Sequence, residues 1–127
     1  MFAADSSILI DFFDRKETAS DLDFLGHAFL TGSLRLPPVV LTEILSNANT
    51  RHSLELLIQD IPLLDIRDGY WQRASVIRSR LLSRGLKAKL ADTLIAQSCI
   101  DHDTPLIARD TDFRHFAEHC GLKLVMA

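Results

Sequence analysis

The sequence predicts an α/β fold, a three-layer α/β/α sandwich around a parallel sheet of short strands. Two observations predict it. Apolar runs of three to five residues alternate along the chain with segments whose apolar residues recur at helical spacing. The 127 residues also carry no internal repeat, low-complexity tract or Pro/Gly-rich linker, so one domain spanning 1–127 accommodates them around one core.

Phe2–Ala4 is the first strand candidate, and Asp5-Ser6-Ser7 behind it is a cluster of helix-capping residue types. Ile8, Leu9, Phe12 and Phe13 then fall on one helical face. A second helix is predicted over Ala19–Leu30, ending near Gly32, and Leu34–Leu36 reads as a strand. Pro37-Pro38 starts a third helix, because proline's fixed φ suits the first helical turn and its missing N–H costs nothing there. The apolar stripe of that helix is Val40, Leu41, Ile44 and Leu45. Further helices are predicted over Arg51–Gln59, Tyr70–Ser83 and Leu90–Asp101, with another opening at Phe113. Ile61–Leu64, Pro105–Ala108 and Leu122–Val125 read as short strands.

Apolar residues make up 47% of the chain and charged residues 24%, a globular rather than a disordered composition. No apolar run approaches the ~20 residues of a membrane-spanning helix. The N-terminus lacks the basic start and long apolar stretch of a secretory leader, so none is expected. Cys99 and Cys120 are too few for a disulfide framework and wrongly spaced for a zinc ribbon, which fits a reduced, cytoplasmic compartment.

Net charge is −3, from 14 Lys and Arg against 17 Asp and Glu, which at face value disfavours a polyanionic partner. The distribution says more. Between Gly69 and Ala91 no acidic residue occurs, yet six basic ones do: Arg73, Arg78, Arg80, Arg84, Lys87 and Lys89. The acids are concentrated elsewhere.

In parallel α/β sheets, ligands bind outside the carboxyl ends of the strands. Asp5 directly follows the first strand, and Asp110 and Asp112 follow Pro105–Ala108, so the architecture brings both ends of the sequence to one sheet edge. Asp92 shares a helical face with Ile95, Ala96 and Cys99, an otherwise buried stripe. A buried carboxylate is costly unless it is hydrogen-bonded, protonated or bound to a cation. Glu43 lies to one side of the apolar stripe of its helix. Each acid also has an ordinary use: Asp5 as a helix cap, Asp92 as a dipole partner, Glu43 as a solvated flank, and Asp110-Thr111-Asp112 as a turn.

Convergence decides between these uses. Two carboxylates ~4 Å apart repel by roughly 4 kcal/mol at an effective dielectric of about 20. A divalent cation relieves that repulsion, and hard oxygen donors select Mg²⁺ or Mn²⁺ over zinc. Such an ion at a strand-end cleft equips a protein for phosphodiester hydrolysis, and the basic segment before Asp92 is placed to hold a nucleic-acid backbone.

These residues resemble the PIN-domain ribonucleases, and specifically the VapC-type toxins of bacterial toxin–antitoxin pairs, over essentially the whole chain. Asp5-Ser6-Ser7-Ile8-Leu9-Ile10-Asp11 is similar to the family's N-terminal motif, and Val40-Leu41-Thr42-Glu43-Ile44-Leu45 places Glu43 as its second acid. Leu90-Ala91-Asp92-Thr93-Leu94-Ile95-Ala96 is the most specific match, with Asp92 as the third acid. Ala108-Arg109-Asp110-Thr111-Asp112-Phe113 resembles the closing loop, with Asp110 as the fourth acid and Asp112 as an auxiliary one. The resemblance implies an Mg²⁺ or Mn²⁺ site formed by Asp5, Glu43, Asp92, Asp110 and Asp112, endonucleolytic RNA cleavage, homodimerisation and neutralisation by a cognate antitoxin. It implies that Ser7 hydrogen-bonds near the metal. Ala108 departs from the pattern, since many relatives carry Thr or Ser there, so a hydroxyl able to order that loop is missing. Arg78, Arg80, Arg84, Lys87, Lys89 and Arg109 are candidate contacts to RNA or to the antitoxin.

Other readings compete. His115, His119 and Cys120 suggest zinc but lack a fourth ligand, and an amphipathic helix end is expected there. Tyr70-Trp71 can stack on a base, although the chain's only Trp is expected to pack. A receiver-type Mg²⁺-binding signalling domain would need an acid pair after the first strand and a phosphoacceptor after a central one, where only Asp65 is available. A non-toxin RNA-processing nuclease and an inactive binding scaffold of the same fold complete the alternatives.

Overall fold

The computed structural model describes residues 1–14, 19–48 and 52–126. Its elements run β1 (Phe2–Ala4), α1 (Ser6–Asp14), α2 (Ala19–Leu30), β2 (Leu34–Arg35), α3 (Pro38–Leu45), α4 (His52–Ile58), α5 (Tyr70–Ser83), α6 (Leu90–Asp101), β3 (Leu106–Ala108), α7 (Phe113–Cys120) and β4 (Leu124–Met126). The four strands form one parallel sheet in the order β2-β1-β3-β4, with helices making it an α/β/α sandwich as the alternating pattern predicts. The predicted start of α4 at Arg51 lies outside the described residues.

One expected strand is not there. Ile61–Leu64 contributes only an isolated parallel bridge between Leu36 and Leu63. Two hydrogen bonds make it: Leu36 N–H to the Pro62 carbonyl at 2.9 Å and Leu64 N–H to the Leu36 carbonyl at 2.9 Å. Pro62 has no N–H to extend the ladder, so the run ends as a one-bridge margin beside β2.

The two inner strands are buried on both faces. Ala3, Ala4, Leu106, Ile107 and Ala108 are all essentially inaccessible, which explains why they read as continuous apolar runs rather than alternating ones. Around them Ile8 and Leu9 of α1, Ile44 of α3, Leu81 of α5, Ile95 of α6, and Phe113 and Phe116 of α7 complete the core.

Local chemistry sets the helix ends that matter for the site. Pro37 caps α3 in an extended conformation and Pro38 opens its first turn. Gly69 precedes α5 at φ +80°, a backbone conformation that residues with a Cβ rarely adopt, so glycine suits this turn. Arg73 binds Asp101 at the far end of α6, Nε to Oδ1 at 2.9 Å and the second nitrogen to Oδ2 at 2.6 Å. Gln97 Nε2 adds a bond to Asp101 at 2.7 Å, and the Tyr70 hydroxyl donates to the Leu94 carbonyl at 2.6 Å. Burial raises the Asp101 carboxyl, but the Arg73 and Gln97 bonds outweigh it and hold the group below the usual range. This network fixes α6 against α5, and α6 carries Asp92.

Candidate active site at the carboxyl ends of β1 and β3

The strand order reverses direction between β1 and β3, so the cleft outside their carboxyl ends is the topological switch point of the sheet. Asp5 leaves β1 and its N–H reaches the Ile107 carbonyl at 3.2 Å. The chain leaves β3 at Ala108 and turns through Arg109–Asp112 into α7. Acids from opposite ends of the sequence therefore meet at one edge.

Asp5 is both a cap and a site residue. Its Oδ1 accepts the Ile8 N–H at 3.0 Å, and the Ser7 hydroxyl lies 3.3 Å from both carboxylate oxygens. The side chain is nonetheless 4% exposed. Burial pushes its pKa up to about 6, the Ile8 and Ser7 hydrogen bonds oppose that rise, and Asp110 and Asp92 add to it. Asp92, in the first turn of α6, is also raised to about 6, chiefly by burial and then by Asp110, against the opposing pull of Lys89. Asp112 and Glu43 push it further in the same direction.

Asp92, Asp110 and Asp112 bring one carboxylate oxygen each within 4.8 Å of one another, a grouping able to hold a metal ion. Asp5 and Glu43 stand at the margin of that triad, close enough to be felt electrostatically. Burial raises the Glu43 carboxyl, with the Ser6 side chain hydrogen-bonding in opposition. The five acids expected at the site thus converge, three in a tight cluster and two beside it.

A divalent metal fits these residues. Oδ2 of Asp92 and Oε1 of Glu43 are buried oxygens with no hydrogen-bond partner. A buried acceptor left unpaired costs about 1–3 kcal/mol, and like-charged neighbours raise that cost. An oxygen-seeking cation held by the Asp92, Asp110 and Asp112 cluster would offset the repulsion that these neighbours impose. The donor set is all carboxylate, which suits a hard, oxygen-seeking divalent cation rather than a soft one.

The turn after β3 is ordered without the hydroxyl that Ala108 lacks. The Asp112 N–H donates to Asp110 Oδ1 at 2.9 Å, an Asx turn, and the Phe113 N–H returns to the Asp110 carbonyl at 3.2 Å. Asp110 thereby uses one oxygen to shape the loop that presents Asp112.

The basic residues divide into groups. Lys87 Nζ lies 3.4 Å from Asp112 Oδ2, and Lys89 acts electrostatically on Asp92, so these two rim the carboxylates. Arg78, Arg80 and Arg84 belong to α5 and its end; Arg78 donates to the Ala88 carbonyl and Arg80 to the His119 carbonyl. Arg109 pairs with Asp11 at 2.7 Å, a partnership the spacing gave no means to foresee across 98 residues. Ser6 is a second site hydroxyl that sequence reasoning passed over, though it stands in the same Asp-Ser-Ser string.

Two expectations need correction. Trp71 is not packed but 61% exposed: Tyr70, Ala74, Ile77 and Leu81 form the buried face of α5, and Trp71 is rotated off it, edge-on to Tyr70. Asp65 follows no strand, which removes the phosphoacceptor that a receiver-type reading requires. Among the described residues, His115, His119 and Cys120 form no metal-competent group, and Cys120 Sγ instead contacts the Ile77 carbonyl. Among the same residues no helix is long and apolar enough to cross a membrane.

Comparison with known proteins agrees with this fold. No curated protein matches the sequence. Among solved structures, that of VapBC2 from Rickettsia felis bound to a DNA fragment from their promoter is similar, with a TM-score of 0.76 and 15% identity over 99% of this chain and 98% of that one. A second is VapBC-5 from Mycobacterium tuberculosis, a member of the VapBC family of toxin–antitoxin systems, with a TM-score of 0.67 and 18% identity over 99% and 98% of the two chains. A third is FitAcB from Neisseria gonorrhoeae, with a TM-score of 0.64 and 15% identity over 98% and 96%. At such identities the likeness speaks for the fold alone. The sequence itself matches the family model of the PIN domain over residues 3–119, and with nearly the whole length covered, the chain belongs to the PIN domain family.

Proposed function

We propose that residues 1–127 form a single nuclease domain that hydrolyses RNA phosphodiester bonds endonucleolytically with the help of Mg²⁺ or Mn²⁺, acting as the toxin of a toxin–antitoxin pair. PIN domains are generally nucleases, which supports this reaction class. The observation that carries the reading further is the cluster of Asp92, Asp110 and Asp112, whose carboxylate oxygens lie within 4.8 Å at the sheet's switch point.

Asp5, Glu43, Asp92, Asp110 and Asp112 would hold the metal, with Ser7 steadying Asp5. When bound, the ion lowers the pKa of water and neutralises charge on a phosphate. The chain's own residues do the rest. Burial keeps water away from the inner face of Asp5, and the Ile8 N–H fixes its carboxylate in one orientation. Lys87 and Lys89 draw a phosphate backbone to the carboxylate rim, and Arg78, Arg80 and Arg84 extend the positive surface along α5.

The partners follow from similar chemistry. VapBC and FitAcB assemblies share this fold, which supports an antitoxin as the physiological regulator of this chain. Homodimerisation is supported by an apolar groove of about 570 Å³ between α5 and α6, bordered by the exposed Trp71, Leu82 and Leu90. A cytoplasmic setting suits an RNA substrate and two free, buried thiols.

The test is cleavage of single-stranded RNA by EDTA-treated protein, with and without added Mn²⁺, beside a folded Asp92→Asn variant. Cleavage restored by Mn²⁺ in the wild type and absent from the variant is expected. Equal cleavage by the two proteins, with contaminating nuclease excluded, would remove the reading.

A further inference from the structure

Two charged residues on the elements that carry the site bind each other. Arg109 NH1 donates to Asp11 Oδ2 at 2.7 Å, with the two side chains only 22% and 26% exposed. Asp11 sits on α1, the helix that Asp5 caps. Arg109 immediately precedes Asp110, in the turn that presents Asp110 and Asp112.

The two halves of the site are secured differently. Asp5 is tied directly to the sheet through its N–H and the Ile107 carbonyl. Beyond Ala108 strand pairing has ended, and the turn's own bonds, Asp112 N–H to Asp110 Oδ1 and Phe113 N–H to the Asp110 carbonyl, shape it internally without joining it to α1. The Arg109–Asp11 bond does join it to α1. A guanidinium is planar and rigid, so its bond to a carboxylate fixes direction as well as distance.

We propose that Asp11 and Arg109 are positioning residues: their ion pair sets the turn bearing Asp110 and Asp112 against α1 and so completes the metal-binding geometry with Asp5. This rests on the metal reading given above. Removing both charges of a largely buried ion pair changes overall stability little, because desolvation offsets their attraction. Partners of metal ligands, by contrast, commonly change metal affinity by 10- to 100-fold when removed. The pair is therefore expected to show in metal affinity more than in melting temperature.

The experiment is calorimetric titration of Mn²⁺ into wild type, Asp11→Asn, Arg109→Gln and the double variant, with melting temperatures measured on the metal-free proteins. Each single variant should melt below wild type and bind Mn²⁺ about 10-fold more weakly or worse, while the double variant should melt within a few degrees of wild type. The double variant should bind no more weakly than either single one, because the second change removes a pair already broken. Single variants that bind Mn²⁺ like wild type, or losses that simply add in the double variant, would overturn the pairing while leaving the metal site standing. Wild type that binds no Mn²⁺ would overturn both. If either single variant fails to fold, Arg109→Lys takes its place, keeping the charge and losing the planar fork, with the same 10-fold threshold.

Discussion

The Ile8 N–H donates to Asp5 Oδ1 at 3.0 Å, so the carboxylate that starts α1 is the same one that feels Asp92 and Asp110 across the cleft. Capping and site chemistry are not alternatives here. The cap orients the side chain, while burial keeps it a strained anion in the absence of a cation.

That strain gives the first prediction. Asp5 titrates near 6 when folded, against 3.8 for an unperturbed carboxyl, so the folded protein binds this proton more tightly than the unfolded one. Its contribution to stability is present below about pH 4 and is lost as pH rises through 6, about 3 kcal/mol in all. Asp5→Asn removes the titration and keeps an oxygen for the Ile8 N–H. In urea unfolding of metal-free protein, the variant's advantage over wild type should grow from pH 4 to 6 and then level off. A difference that does not vary with pH would contradict the assignment.

Metal itself should stabilise. Added Mn²⁺ at about 100 times its dissociation constant is expected to raise unfolding free energy by roughly 2.7 kcal/mol, reversibly with EDTA. Because Asp5 and Asp92 both titrate near 6 without metal, the gain should shrink as pH falls through that value. Thermal melts with and without Mn²⁺ at several pH values measure it directly.

Glu43→Gln tests the least obvious acid. The substitution keeps size and removes charge, leaving the fold intact while cutting metal-dependent cleavage by roughly 10²- to 10³-fold. Its metal-free stability should not fall, since a raised carboxyl is replaced by a neutral amide. Full cleavage activity in this variant would exclude Glu43 from the site.

Lys87→Ala and Lys89→Ala address the rim. Each should weaken RNA binding about equally for all sequences, and lower the log–log salt slope by about 0.7 per lost phosphate contact. A change in sequence preference without a change in salt slope would mean these side chains read bases instead.

Much of the fold was legible because its causes are local. The bounds of α5 and α6, and the placement of Asp5 and Asp110 at strand ends, follow from apolar spacing and strand-ending residues. Ile61–Leu64 misled for a local reason of another kind: Pro62 supplies a carbonyl to Leu36 but no N–H to a ladder. Trp71 misled because a lone aromatic says nothing of which way its helix is turned, and Tyr70 beside it took the buried face.

By itself, then, the sequence determined the alternation of short buried strands with helices and the sheet edge that Asp5, Asp110 and Asp112 share, while Glu43 stood out only through the resemblance to a family. Only the tertiary structure decided how the acids share the site: Asp92, Asp110 and Asp112 clustered, Asp5 capping from one side and Glu43 presenting an unpaired oxygen from another. It alone paired Arg109 with Asp11. The physical reason is range. Capping, periodicity and proline effects act within a few residues and leave a mark in the string, whereas ion pairs and burial depend on distances that exist only after the sheet has brought residue 11 beside residue 109.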